Sequence, residues 1–272
     1  MASVLKRLVP RPLQPFARGV YRSLRRRWLS WREGPQDRAY ARSLGLPALP
    51  PAELRFRVHG DTEREGFVNV ARRCCEDIEA ALERVGRSLE SFESLLDFGC
   101  GCGRHLLFLA NRPGAPKCYG TDIDLDAIAW CRRTLKFAEF GVNEPLPPLE
   151  YSSQMFDLIV AVSVFTHLDE EHQVRWLEEL RRVAKPGAIF LCTVHGPHIW
   201  RNLPDALRAK VERDGFLFVR SADWKGTFPD WYQTAYHTEE YVRRTFRNYF
   251  EVVEYLPRGL VEHQDLVILR RG

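Results

Sequence analysis

The chain has 272 residues, of which 45% are hydrophobic and 28% charged, an ordinary balance for one large α/β domain or a domain with a small cap. No apolar stretch approaches the ~18 residues of a bilayer span, and seven scattered cysteines point to reduced thiols and a cytoplasmic setting. The overall charge of +4 is uneven: residues 1–43 carry eleven Lys or Arg against Glu33 and Asp37, leaving the other 229 residues at −5. A domain with that balance argues against nucleic acid as the main partner.

Residues 1–43 form a basic leader. Phe16, Ala17, Val20, Tyr21, Leu24, Trp28 and Trp31 recur near one face at helical spacing, and Arg18, Arg22, Arg25, Arg26 and Arg32 lie mostly off it. Through residues 1–32 such a helix can lie in an anionic membrane surface, pack on its own domain, or act as a targeting segment. A Pro-rich joint at 46–51 follows. The spacing of Phe67, Val70, Ala71, Cys74, Ile78, Ala81, Leu82 and Val85 then predicts a long helix ending near Gly86, so that residues 44–90 make a helical cap.

The first strand is expected at 94–98. It runs into Asp97-Phe98-Gly99-Cys100-Gly101-Cys102-Gly103, and a helical stretch, His105 to Ala110, comes directly after. Glycines without Cβ let backbone N–H groups close on a ligand at a helix start. Strand two should end at Asp122, with Asp124 capping a helix that runs to about Glu139. Further on come a buried strand at 155–162, a helix near 170–184 stopped by Pro186-Gly187, and a strand at 188–194. A helix near 239–247 and strands at 250–255 and 265–269 complete the chain. Alternating β and α units imply a Rossmann-like, doubly wound, mostly parallel sheet with helices on both faces, here with an N-terminal helical extension.

The ligand of such a sheet sits outside the strand ends. Asp122, 19 residues after Gly103, is placed to accept both hydroxyls of a ribose. A nicotinamide dinucleotide calls for Gly-x-Gly-x-x-Gly, and the third glycine here comes one residue early. A carboxylate at Asp97 would repel a pyrophosphate but suits an ammonium group. Ribose and ammonium without phosphate describe S-adenosylmethionine. Cys100 and Cys102 lack a second Cys/His pair at zinc spacing, so no metal site is expected.

The glycine run resembles that of class I S-adenosylmethionine-dependent methyltransferases. So do Gly120-Thr121-Asp122-Ile123-Asp124, Phe156-Asp157-Leu158-Ile159, Ser163-Val164-Phe165-Thr166-His167-Leu168, Leu180 to Gly187 and Gln264-Asp265-Leu266-Val267, in the family's order. The likeness is nearest to bacterial enzymes that modify small molecules or glycans. It implies a seven-stranded sheet and a methyltransferase domain over 91–272. Gly99, Cys100, Gly101 and Gly103 would meet the methionine part of the cofactor, Asp97 its amino group partly through water, and Asp122 the ribose. Ile123 would flank the adenine and Asn143 stand near its amine, beyond an abbreviated third strand, while Ser163 and Phe165 would line the sulfonium side.

His195 and His167 follow apolar strands at the crevice and are the candidate bases for a hydroxyl acceptor, with Tyr232, Tyr236 and His237 as alternatives. The aromatic-rich stretch 197–237 suits either a lid over the acceptor or the core of an inserted subdomain. Methyl transfer to a small molecule or glycan, most naturally at oxygen, is the function implied. A non-catalytic cofactor-binding scaffold at a membrane or partner complex is the alternative, with an NAD-dependent oxidoreductase a distant third.

Overall fold

The computed structural model describes residues 14–220 and 232–272; Trp224 and Trp231 of the aromatic stretch lie outside them. Three helices come first: α1 (Gln14–Ser43), α2 (Ala52–His59) and α3 (Arg64–Arg84). The sheet is then built from β1 (Ser94–Phe98), β2 (Lys117–Asp122), β3 (Ala138–Val142), β4 (Phe156–Ala161) and β5 (Ala184–Val194). Between these strands lie α4 (Leu106–Leu109), α5 (Leu125–Thr134) and α6 (Glu170–Val183). An excursion follows, of α7 (Pro197–Trp200), α8 (Asp205–Asp214), β6 (Phe216–Val219) and β7 (Thr234–His237). The chain ends with α9 (Glu239–Phe246), β8 (Glu251–Leu260) and β9 (Gln264–Arg270).

The seven-stranded sheet runs β3-β2-β1-β4-β5-β9-β8. β9 enters antiparallel between β5 and β8, and the five strands before it are parallel. Order reverses between β1 and β4, which opens a crevice at their C-terminal ends. Successive strand residues point to opposite faces, and two cores follow from that. Leu95, Leu158, Val160, Leu191 and Ile268 pack under α3 to α5; Leu96, Ile159, Phe190, Val267 and Leu269 pack under α6 and α9.

Two local expectations need correction. The helix after Asp124 ends at Thr134 rather than Glu139, and 138–142 is a full strand paired along β2, so the third strand is not abbreviated. It sits at the sheet edge with only Phe140 buried, which leaves no period-2 pattern to read. The helix before Pro186 stops at Val183, and β5 already begins at Ala184. Ala184 pairs with Phe156 and Ile189 with Leu158, so the Pro-Gly pair occupies an irregularity within the strand rather than a helix stop.

From Gln14 to Ser43 the leader is one helix, as its spacing predicts, and the end of that helix is joined to the body. Ala41, Leu46 and Leu49 are buried in the main core. The Arg55 guanidinium, fully buried, lies 3.1 Å from Asp37 and 3.7 Å from Glu33. Arg64 reaches the same two carboxylates at 2.5 and 3.2 Å. Among the described residues no helix is long and apolar enough to cross a membrane.

Candidate active site

The glycine loop is held from two sides. Gly99 and Cys100 N–H donate to the Thr121 carbonyl at 2.8 and 3.0 Å, and Gly101 N–H donates to Asp122 Oδ2 at 2.7 Å. Gly99 has φ of 76°, and a Cβ there would lie 2.3 Å from Val164 Cγ2. Backbone conformation and close approach both demand glycine at that point.

The other Asp122 oxygen accepts from Asp124 N–H at 2.8 Å. Each carboxylate oxygen thus has a lone pair left for a ligand hydroxyl. Burial pushes the Asp122 carboxyl up to about 6, against the backbone N–H groups of Asp124 and Gly101 that favour its charge. Asp124 in turn caps α5 through Asp126 and Ala127 N–H. Ile123 is half-buried beside it.

A further helix, α2, closes on this loop. Val58 Cγ2 lies where a Gly101 Cβ would stand, at 2.7 Å, and Arg57 donates to both Asp124 oxygens at 2.8 Å. Leu54 and Val58, four apart after Pro51, were the readable signal of an apolar helical face.

Asp97 is turned inward. It is 1% exposed, neither oxygen accepts a hydrogen bond among the described residues, and His105 Nδ1 lies 3.6 Å away. Burial opposes charge on His105, yet Asp97 and Cys74 outweigh it and raise the imidazole to about 9. The structure therefore gives Asp97 an imidazole neighbour, while both of its oxygens keep acceptor capacity. Cys100 is also buried, its thiol against Gly101 O, and only its backbone lies along the loop.

Asn143 follows β3 directly, with its N–H on the Asp122 carbonyl at 3.1 Å. Its side-chain oxygen accepts from Thr121 Oγ1 at 2.9 Å and its amide donates to Glu144 O, so both ends are engaged within the loop. Ser163 has φ of 58° at the end of β4; its N–H donates to Thr193 Oγ1 and its hydroxyl pairs with the Gln264 amide at 2.9 Å. Phe165 departs from expectation. Its ring is fully buried against Phe190 and Phe246, and Val164 is the side chain that meets the glycine loop.

His167 and His195 come together at the ends of β4 and β5, ring centroids 6.0 Å apart and edge to face. His167 Nδ1 lies 2.7 Å from Gln233 O and His195 Nδ1 3.1 Å from Ala235 O. A carbonyl only accepts, so each Nδ1 carries the proton and each Nε2 the lone pair. Burial lowers both; His195, beside His167, falls to about 3. Tyr232 stacks on His167 at 4.7 Å, and burial and the Asp122 carboxylate push its phenol up.

These carbonyls belong to β7 and the residues before it. Gln233, Ala235 and His237 N–H donate to His167, Thr166 and His195 O, so the segment lies across the strand ends like a roof. Behind it Trp200, Val211 and Leu217 form a small core, and Trp200 Nε1 donates to His237 O. The described part of 197–237 is thus both cover and packed subdomain. His237 is fully buried with Nε2 on Gln173 Oε1, facing the interior, whereas Tyr236 is half-buried 5.8 Å from His195.

The strand order, the pinned glycine loop and the acid ending β2 are the features on which the likeness to known proteins rests. Residues 95–187 match the methyltransferase domain family. They form a class I S-adenosylmethionine-dependent methyltransferase domain. The cofactor of this methyltransferase domain is S-adenosylmethionine. A tRNA (guanine-N(7)-)-methyltransferase of Ruegeria pomeroyi is 30% identical over 164 residues, 53% of this chain and 65% of that one. A probable chloroplastic tocopherol O-methyltransferase of Oryza sativa is 34% identical over 148 residues, 51% of this chain and 38% of that one. The chain spans less than two thirds of the length of these curated relatives.

The fold is also that of an S-adenosylmethionine-dependent methyltransferase of Clostridium acetobutylicum, with a TM-score of 0.52 at 11% identity over 74% of this chain and 92% of that one. A Burkholderia thailandensis 1,6-didemethyltoxoflavin-N1-methyltransferase, solved with that compound and S-adenosylhomocysteine, gives 0.52 at 14% identity, covering 73% and 78%.

The histidines around the methyltransferase domain set its stability against pH. His105, raised from 6.5 to about 9, stabilises fully below pH 6.5, and that contribution is lost as pH climbs toward 9. His195 and His237, lowered to about 3, stabilise fully above pH 6.5 and lose it as pH falls. Urea unfolding across the range should therefore give a maximum near pH 6.5, and His105→Gln should flatten only the alkaline limb. A wild-type profile that rises from neutral to pH 9 would contradict the assignment.

Proposed function

We propose that the chain is an active S-adenosylmethionine-dependent methyltransferase that alkylates an oxygen of a small-molecule or glycan acceptor. The observation that carries this reading is the imidazole pair at the strand ends, with a lone pair on each Nε2. S-adenosylmethionine supplies a methyl group already bonded to a good leaving group, so the protein's work is alignment, exclusion of water and removal of a proton. The glycine loop backbone and Asp122 would hold the cofactor, and Ser163 with Val164 would border it.

An alcohol must lose its proton as the bond forms, whereas a neutral amine need not. His167 or His195 would take that proton at Nε2. Burial keeps His195 neutral throughout the physiological range and makes it the weaker acceptor of a proton for that reason. Tyr232, stacked on His167, would hold that ring in place. Cover by the β7 segment favours a compact acceptor, and the charge of −5 on residues 44–272 disfavours nucleic acid. That is a point of difference from the tRNA methyltransferase among the relatives.

Cell extract incubated with the protein and S-adenosylmethionine should yield a product heavier by one methylene. His167→Ala and His195→Ala are then measured on that product. General-base catalysis typically contributes ~10²–10⁴-fold, so at least one variant should lose ten- to a hundredfold in kcat. If neither does, the base assignment fails and a neutral amine becomes the acceptor. Stabilisation by S-adenosylhomocysteine with no product from any extract would favour the scaffold reading. NADH should give no thermal shift.

A further inference from the structure

The acid-free part of α1 is also where its described apolar side chains, Leu24, Trp28 and Trp31, stand exposed. Glu33 and Asp37 are the first two acids of the chain, and both are spent on Arg55 and Arg64. From that point on, the helix and the turn after it bury Asp37, Ala41, Leu46 and Leu49 in the body. Upstream, residues 1–32 hold nine Lys or Arg and no acid. In the same stretch Leu24 is 60% exposed, Trp28 51% and Trp31 80%.

Positions 24, 28 and 31 are spaced four and three apart, so they form one stripe along the helix. Two exposed tryptophans and a leucine on one face are unusual for a helix whose other end is packed in a core. Arg32 lies over the Trp28 ring at 4.6 Å.

We propose that this half of α1 is a docking surface for an anionic lipid bilayer. Three occupants compete for an apolar stripe of this charge, and two fit badly. A second copy of the chain would bring two strongly basic, acid-free segments together. A nucleic acid would satisfy the charge but offers no apolar depth for Leu24, Trp28 and Trp31. An anionic bilayer satisfies both: phosphate headgroups meet the basic residues, and the interface accepts the indoles. The anchored half of α1 leads through residues 44–51 into α2, whose Val58 and Arg57 sit on the glycine loop and Asp124. Docking through α1 would thus hold the methyltransferase domain close to the bilayer surface. It does not depend on the methyl acceptor proposed above.

The full chain is sedimented with vesicles of phosphatidylcholine containing phosphatidylglycerol and with vesicles of phosphatidylcholine alone. Partition should be at least about tenfold stronger on the anionic vesicles and weaken in high salt. Trp28→Ser with Trp31→Ser should reduce it by about tenfold or more. The thermal shift with S-adenosylhomocysteine should be unchanged in that variant, since neither tryptophan touches the domain's site. Equal binding to both vesicles, or unchanged binding by the variant, would overturn the proposal. So would a dimer that the variant dissolves in the absence of lipid binding, or RNA that displaces the chain from vesicles.

Discussion

Asp122→Ala is expected to weaken S-adenosylhomocysteine binding by roughly 10²–10⁴-fold, the largest effect of any single side chain at the site. Hydrogen bonds to a charged acceptor contribute about 1.5–3 kcal/mol each, and the carboxylate is placed to take two ribose hydroxyls. Its remaining acceptor capacity is already set by Gly101 and Asp124 N–H, which fix its orientation before any ligand arrives. The same two bonds mean that alanine also loosens the glycine loop. Asp122→Asn is the milder change, because an amide keeps the volume and one acceptor oxygen but loses the charge and turns its NH2 toward one of those two N–H groups.

Titration calorimetry should place the asparagine variant between wild type and alanine. The pH dependence follows from the raised carboxyl. With its pKa near 6, Asp122 is ionised at neutral pH and takes up a proton as the pH falls through 6, so wild-type affinity should decline there. The Asn variant should show no such decline. An alanine variant that binds within threefold of wild type would remove Asp122 from the cofactor site.

The legible parts of this chain were those where one local rule dominates. Buried parallel strands read as continuous apolar runs, which is why β1, β4 and β5 stand close to where the sequence placed them. Asp124 as a helix cap and the glycine loop were equally readable, since both rest on chemistry within a few residues. β3 was not, because an edge strand with one buried side chain carries no pattern.

What escaped at the site was set by contacts distant in sequence. Whether Phe165 faces the crevice or the core depends on Phe190 and Phe246, 25 and 81 residues away. Asp97 is readable as a carboxylate before the glycines, but its neighbour His105, 3.6 Å away across the pleat, is not. The Nδ1 partners of His167 and His195 come from a segment that no motif marks. Sequence therefore located the glycine loop and offered 197–237 as lid or core, whereas the bonds that segment makes to the two histidines required the folded chain.

Arg55 offers the second large effect, and it acts through the fold rather than the chemistry. Its side chain is fully buried. Nε donates to Thr62 O at 2.9 Å, Nη1 to Pro50 O at 2.7 Å, and the guanidinium faces Asp37 and Glu33. One residue thus ties the end of α1, the Pro-rich joint and the turn before α3. Arg55→Ala would strip those carbonyls of a donor and leave buried Asp37 to Arg64 alone. Breaking a buried pair from one side costs about 3–5 kcal/mol, which for a chain of this size lowers the melting temperature by roughly 10 °C. Because α2 carries Val58 and Arg57 onto the glycine loop, S-adenosylhomocysteine affinity should fall together with stability. Arg55→Lys retains the charge but cannot span both carbonyls and Asp37 at once, so only partial rescue is expected. Melting curves with and without S-adenosylhomocysteine test both halves. If Arg55→Ala loses stability while its ligand affinity stays at wild type, the helical cap is a structural appendage and not part of the cofactor site.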